Sequence, residues 1–335
     1  MNDVVLRVKD LHLSFYTNKR CNKVLRGISF DIKKGKTLCI VGESGCGKSV
    51  TANAILRLLP DLSRIEGGSI CYYKDGEEIR LDTLEKNGKQ MRALRGKDIA
   101  IIFQDPMTAL NPVYTVGKQI REMIREHKKG LSKKQLKKES IEDLADMGIP
   151  AAELRDGEYP HQFSGGMRQR AMIAMGMSCE PKILLADEPT TALDVTISAQ
   201  IFELMNNLKK EHGTAIMMIT HNMGVVAEMA DDVAVMYMGN IVEYGTVEEI
   251  FKAPKHPYTK ALLQSIPVLG KGKNQVLEPI RGVTPDPFNR PKGCQFCPRC
   301  DYATQQCQTQ MPDEVWLNPN HYTRCFNYKE LGANE

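Results

Sequence analysis

The stretch Gly42-Glu43-Ser44-Gly45-Cys46-Gly47-Lys48-Ser49 decides the fold. It has the spacing G-x-x-x-x-G-K-[ST] of a phosphate-binding loop. A triphosphate needs several backbone N–H donors at close range, and side chains would block that approach. Gly42, Gly45 and Gly47 let the loop curl with its N–H groups inward. Lys48 then reaches the β- and γ-phosphates, and the Ser49 hydroxyl holds Mg²⁺. Working outward, residues 38–41 form an apolar run that reads as a buried strand. Residues 49–56 read as the helix whose positive N-terminus faces the anion.

The chain has 335 residues, enough for one large domain or two unequal ones with a real core. Its formal net charge of +4 is close to balance and gives no reason to expect a nucleic-acid partner or disorder. No apolar run approaches the ~18 residues that span a bilayer, and the N-terminus lacks the apolar segment of a signal peptide. A soluble chain is expected, with any membrane role coming through partners. Cys21, Cys39, Cys46, Cys71 and Cys179 are scattered and read as small buried residues. Cys294, Cys297, Cys300, Cys307 and Cys325 crowd the C-terminal end, where in a reducing compartment metal is a commoner reason than disulfide.

Along the chain, residues 4–15 and 24–32 read as strands of an antiparallel layer. Phe15 or Tyr16 there is placed either to stack on an adenine ring or simply to fill the core. A short strand at 69–73 and a helix at 84–94 follow, then a buried strand at 99–103 that ends on Gln104. The period turns helical from 116 to 147, where a run of lysines reads as a solvated helix face, with attraction to anionic headgroups the alternative. A helix at 171–177, a strand at 182–186, a helix at 195–210 and a strand at 214–220 complete an alternation that means α/β with a largely parallel core. Strands at 232–237 and 241–244 form a hairpin that closes this domain. Beyond Pro254 the composition shifts to Pro, Gly and Cys, an appended, loop-rich module that needs a staple.

Asp187 and Glu188 supply the acids that the loop lacks. Asp187, leaving an apolar strand, helps hold Mg²⁺, and Glu188 beside it polarises the attacking water. Gln104, also at a strand end, would coordinate Mg²⁺ or sense the γ-phosphate. Ser164-Gly165-Gly166 opens a second glycine-rich helix start, hence a second anion cradle. One nucleotide does not need two cradles in one chain, whereas two chains packed head-to-tail would let each cradle serve the other's nucleotide.

Residues 1 to about 250 resemble the nucleotide-binding subunit of ATP-binding-cassette transporters. Residues 42–49 look like Walker A, with Ser44, Cys46 and Val50 among the ATP contacts, and Gln104 like the Q-loop glutamine. Ser164-Gly165-Gly166 corresponds to the signature, although Phe163 and Met167 depart from the usual spelling. Residues 183–187 with Glu188 resemble Walker B and the catalytic glutamate, Ala192-Leu193-Asp194 the D-loop, and His221 the switch histidine. The stretches 103–112, 163–170, 186–194 and 256–259, with the cysteine tail, resemble one branch, the ATPase subunits of oligopeptide/dipeptide and nickel importers. The fold implied is a P-loop cassette over residues 1–253, with a RecA-like mixed sheet core, an antiparallel β layer and a helical subdomain near 105–178. Residues 254–335 would be the extension. The resemblance implies Lys48, Gln104, Glu188 and His221 as catalytic, and Ser49, Gln104 and Asp187 at Mg²⁺. It also implies a second ATPase subunit (a paralogue), two permeases, an extracytoplasmic binding protein, and a peripheral place on the cytoplasmic face of the membrane. Nickel or another solute, and a soluble non-transport ATPase, stand as alternatives.

The tail cysteines Cys294, Cys300, Cys307 and Cys325 are spaced C-x5-C-x6-C-x17-C. In the importer branch that the chain resembles, tails of similar spacing can hold a [4Fe–4S] cluster, which would leave Cys297 spare; four free thiols are the plain alternative. Four thiolates also suit Zn²⁺, and a ferredoxin-type run starting at Cys294 is a third reading. A regulatory protein-interaction module is a further reading of the tail, and it is compatible with the importer ATPase.

Overall fold

The computed structural model describes residues 3–17, 20–191, 193–265 and 280–332. The chain divides into two compact units, one made of Met1–Val5, Ile32–Lys36 and Thr83–Met218, the other of Leu6–Asp31, Thr37–Asp82 and Ile219–Glu335.

The second of these begins with β1 (Val4–Thr17) and β2 (Arg20–Lys33). In β1, Leu6, Val8, Leu11 and Leu13 are buried while Arg7 and Lys9 are not, the alternation of a strand covered on one face. After them come β3 (Thr37–Val41), fully buried, and α1 (Lys48–Ile55). Next are β4 (Ser63–Lys74) and β5 (Glu77–Arg80), which complete a sheet ordered β2-β1-β4-β5. The expected strand 69–73 is longer than its apolar core, because β4 pairs antiparallel with β1 on one side and β5 on the other.

In the first unit, α2 (Lys89–Leu94) is shorter than the helix read at 84–94, since Gly88 stands as its N-cap in extended backbone. Then β6 (Ile99–Ile102) leads to α3 (Pro106–Ala109), α4 (Val116–His127) and α5 (Lys133–Asp146). The helical stretch 116–147 is thus two helices, broken where Gly130 has φ +87°. After α6 (Ala152–Arg155) comes α7 (Gly165–Met177). Here the buried carboxylate of Asp156 accepts from Arg121 Nη1 at 2.5 Å and Ser140 Oγ at 2.7 Å, tying α4 to α5. A Cβ on Gly117 would lie 1.8 Å from that carboxylate, so only glycine fits there. The buried strands β7 (Ile183–Asp187) and, beyond α8 (Val195–His212), β8 (Ala215–Thr220) stand in the order β8-β7-β6, with β6 and β7 parallel.

The chain then returns to the second unit with α9 (Met223–Met229), β9 (Asp232–Tyr237), β10 (Asn240–Thr246) and α10 (Val247–Lys252). β9 runs parallel to β3 and antiparallel to β10, the hairpin expected there. The tail holds more regular structure than its composition suggests: α11 (Pro257–Gln264), α12 (Gln305–Thr309), β11 (Val315–Asn318) and β12 (His321–Thr323). β12 pairs with β10, so the tail extends the sheet as β11-β12-β10-β9-β3.

That junction is fastened by Glu243. Its fully buried carboxylate accepts from the backbone N–H of Lys255 at 2.6 Å and of His256 at 3.0 Å, and lies 3.0 Å from His321 Nε2. A buried carboxylate with this many donors is a net asset only while every donor is served. Glu243→Ala orphans all of them, and it should lower the stability seen in urea unfolding by about 3 kcal/mol. It should also expose the tail to limited proteolysis before the rest of the chain.

Candidate nucleotide-binding site

The phosphate loop runs from the end of β3 to the start of α1, and it is held from behind. A Cβ on Gly42 would lie 2.1 Å from the Met236 carbonyl oxygen, so the loop leaves β3 pressed against β9. Gly47, the N-cap of α1, has φ +110°, and its Cβ would meet Leu25 and Met236 side chains at 2.9 Å. The Gly239 N–H donates to the Cys46 carbonyl at 2.9 Å, and the Tyr258 hydroxyl accepts from the Glu43 N–H at 2.9 Å. Lys48 is buried, with Nζ donating to the Gly42 carbonyl at 2.7 Å and the Glu43 carbonyl at 3.0 Å. Ser44 and Gly45 are exposed at the loop's tip, Ser49 and Val50 half-buried in the first turn of α1. Cys46 is buried, and its thiol pKa is raised by that burial.

The first unit carries the acids. Asp187 is buried as the last residue of β7, and Glu188 follows with φ +46°, a backbone conformation that costs a non-glycine residue on the order of 1 kcal/mol. The Glu188 carboxylate accepts from Gln104 Nε2 at 3.0 Å and from Thr191 Oγ1 at 2.8 Å. The two strand ends that hold Gln104 and Glu188 are therefore joined by one hydrogen bond. Ser164 caps α7 by accepting from the Met167 N–H at 3.3 Å, with Ser164 and Gly165 exposed. A Cβ on Gly166 would sit 2.9 Å from Ile197 Cγ2 of α8, which explains the second glycine.

Comparison with known proteins puts this arrangement in context. Residues 25–191 match the ABC transporter family, and residues 242–307 match the oligopeptide/dipeptide transporter C-terminal region. The dipeptide transport ATP-binding protein DppD of Bacillus subtilis is 49% identical over 323 residues, covering 96% of this chain and 94% of the relative. The oligopeptide transport ATP-binding protein OppD of the same organism is 50% identical over 96% of this chain and 88% of the relative. A putative peptide import ATP-binding protein of Brucella melitensis is 46% identical over 98% of both. The chain belongs to the ABC transporter family.

Within that family it is an ATP-binding subunit of the oligopeptide/dipeptide class and an ATP hydrolase. Among solved structures, a dimeric ATP-binding cassette in a post-hydrolysis state with ADP and Pi aligns with a TM-score of 0.63 at 25% identity, covering 72% of this chain and 98% of that one. The fold is thus the P-loop cassette expected.

Other expected residues of this ABC subunit fall as follows. His221 is exposed, just past β8. Phe15 is half-buried near the end of β1, and Tyr16 beside it is exposed, its ring under the Arg64 guanidinium and its hydroxyl donating to Glu66 at 2.6 Å. Of the D-loop residues, Ala192 lies outside the described residues.

Cys294, Cys297, Cys300, Cys307 and Cys325 all line one small cavity together with His256 and Phe296. Burial raises the thiols of Cys294 and Cys300 to about 11 and that of Cys325 to about 12, with neighbouring thiols adding to the shift. Among the described residues no group of three or more His, Cys, Asp or Glu side chains is arranged to hold a metal ion. The iron–sulfur and zinc expectations therefore meet a shared thiol cavity but no ready-made coordination geometry. All ten cysteines are free thiols.

The sequence reading missed Tyr258 and Arg299, which reach the loop from more than 200 residues away; only the run His256-Pro257-Tyr258-Thr259 flagged the first of them. Gly42→Ala should weaken MgATP binding at least tenfold by calorimetry, because its Cβ cannot coexist with the Met236 carbonyl. Gly45→Ala, with φ +80° and open space around it, should instead cost about 1 kcal/mol of stability.

Proposed function

We propose that this subunit works as one half of a head-to-tail ATPase pair that drives import of di- or oligopeptides. The observation that carries this reading is the similarity over nearly the whole chain, tail included, to ATP-binding proteins of dipeptide and oligopeptide transport. The second subunit would be a paralogue, and the pair would sit peripherally on the cytoplasmic face of the membrane beneath two permeases fed by an extracytoplasmic binding protein. Among the described residues no helix is long and apolar enough to cross a membrane, in keeping with a peripheral place. The domain plan proposed is a cassette over 1–253, with a helical subdomain near 105–178, and an extension over 254–335.

In this reading the loop N–H groups and Lys48 bind the β- and γ-phosphates, and Phe15 or Tyr16 stacks on the base. Ser49, Gln104 and Asp187 offer the hard oxygen donors that suit Mg²⁺, which when bound neutralises charge on the transferring phosphoryl group. Glu188, oriented by Gln104 and Thr191, accepts a proton from the attacking water as in-line displacement begins, and His221 positions the γ-phosphate. Ser164, Gly165 and Gly166 meet the partner's nucleotide across the pair. Closure is then conditional on ATP, and hydrolysis returns the pair to its open state, the population shift that the permeases convert to transport.

For the tail we propose that Cys294, Cys300, Cys307 and Cys325 ligate a [4Fe–4S] cluster, with Zn²⁺ the alternative. Support comes from the five thiols facing one cavity and from the chemistry of an all-cysteine donor set. The bound group would staple the tail, since its four thiols come together only when the segments that carry them are folded.

Glu188→Gln should cut turnover at least 100-fold while MgATP still binds, and with MgATP the protein should elute as a stable pair in size exclusion. Near-normal turnover would remove Glu188 from the proton-accepting role. Substrate is read by ATP-dependent uptake of labelled peptide into vesicles that hold the permeases; nickel uptake in its place would change the solute assigned. Anaerobic protein with about four iron and four sulfide per chain, both lost in Cys300→Ser, is the expected result for the tail.

A further inference from the structure

The cysteine cavity and the phosphate loop are joined by a short chain of polar contacts. Arg299 ends the 3₁₀ turn Cys297–Arg299, between two of the tail cysteines. Its side chain is 4% exposed and forks onto Glu43 of the loop, Nη1 to Oε2 at 2.6 Å and Nη2 to Oε1 at 2.9 Å. Nε donates to the Arg281 carbonyl at 2.8 Å, and Nη1 also reaches the Tyr237 hydroxyl at 3.3 Å. The Thr284 hydroxyl donates to Glu43 Oε2 at 3.2 Å. The guanidinium lies over the Tyr237 and Phe296 rings, 5.9 Å from each centroid, and Tyr258 packs against both, 4.7 Å from Tyr237 and 5.3 Å from Phe296. Tyr258 takes the Glu43 N–H, so the tail grips both the backbone and the carboxylate of one loop residue.

A carboxylate is a strange choice for a loop that collects a polyphosphate. Left bare, it would repel the ligand through a partly desolvated medium. Burial alone would raise the Glu43 pKa, but the Arg299 hydrogen bonds and charge, with Thr284 and Lys48, outweigh it and keep Glu43 an anion. A bidentate guanidinium cancels that anion and at the same time fixes its direction.

We propose that Arg299 is a positioning residue for nucleotide binding: it neutralises Glu43 and so makes the loop's affinity for ATP depend on the cysteine-bearing turn. The turn is compact, with the Arg299 N–H donating to Phe296 at 2.9 Å and the Cys300 N–H to Cys297 at 3.3 Å. A change at Cys297 or Cys300 therefore moves the arginine between them. The inference rests on residues 42–49 being the nucleotide loop, and Lys48→Ala tests that premise separately.

The test is a double-mutant cycle on the full chain, reading MgATP affinity by calorimetry and KM against kcat. Arg299→Met should bind MgATP about tenfold more weakly, within the usual span for coupled sites, raising KM with little change in kcat. Arg299→Met with Glu43→Gln should return to within about twofold of the parent, because the uncompensated carboxylate is gone. Glu43→Gln alone removes the anion that Arg299 neutralises and should bind at least as tightly as the parent. Arg299→Met binding like the parent, a double variant as weak as Arg299→Met, or a weakened Glu43→Gln would each overturn the proposal. A Lys48→Ala protein that binds MgATP normally would overturn the loop reading and this inference together.

Discussion

A loop that aims its N–H groups at an anion cannot use them to hold itself in place, so it must be gripped from behind. That constraint organises the loop-bearing unit. Gly42 lies against the Met236 carbonyl, Gly239 donates to Cys46, and Tyr258 accepts from Glu43. These contacts come from β9, the turn after it and α11, so the segments after the central strand β3 exist in part to brace the loop that leaves it. Lys48 folded onto the carbonyls of Gly42 and Glu43 satisfies the inner lone pairs in the same way. Glycine at residue 42 is thus demanded twice over, by the anion in front and the carbonyl behind.

Much of this was legible in the sequence because it is local. The spacing from Gly42 to Ser49, the apolar runs that became β3, β7 and β8, and the acids ending β7 are each readable within ten residues. What escaped is long-range. Nothing in the hairpin reading of 232–244 singled out Glu243, yet it is wholly buried on β10, which pairs with β12. The pairing segment His321-Tyr322-Thr323 is too short and too polar to show a strand period. Arg299 carried no signal at all, because a lone arginine between cysteines is meaningful only once Glu43 is placed beside it. The strained backbone of Glu188 was likewise invisible, since nothing in Asp187-Glu188 announces a positive φ.

The tail illustrates how a weak core can still be ordered. Its strands are short and β11 is largely exposed. Order comes instead from the Glu243 knot, from the stacking of Tyr244 on Tyr322, and from the aromatic cluster under Arg299. Gly293 belongs to the same economy, since a Cβ there would lie 2.4 Å from the Cys307 carbonyl. That close approach, with the Cys294 N–H donating to the Cys307 carbonyl at 2.8 Å, draws two distant cysteines to one cavity. Polar and aromatic contacts of this kind are directional, and close packing around them transmits small displacements.

Two of the residues that break local rules belong to the candidate nucleotide site. Glu188 accepts a left-handed backbone, and Glu43 brings negative charge to a loop built for anions. In each case neighbours over-determine the strained arrangement: Gln104 and Thr191 hold the first carboxylate, Arg299 and Thr284 the second. A feature that costs stability persists only if its surroundings enforce it or its function needs it. For Glu188 the proposed return is a carboxylate oriented to accept a proton from the attacking water. For Glu43 a neutral residue would have served the phosphate equally well. An acid serves only if its partner does, and that partner is an arginine set between cysteines.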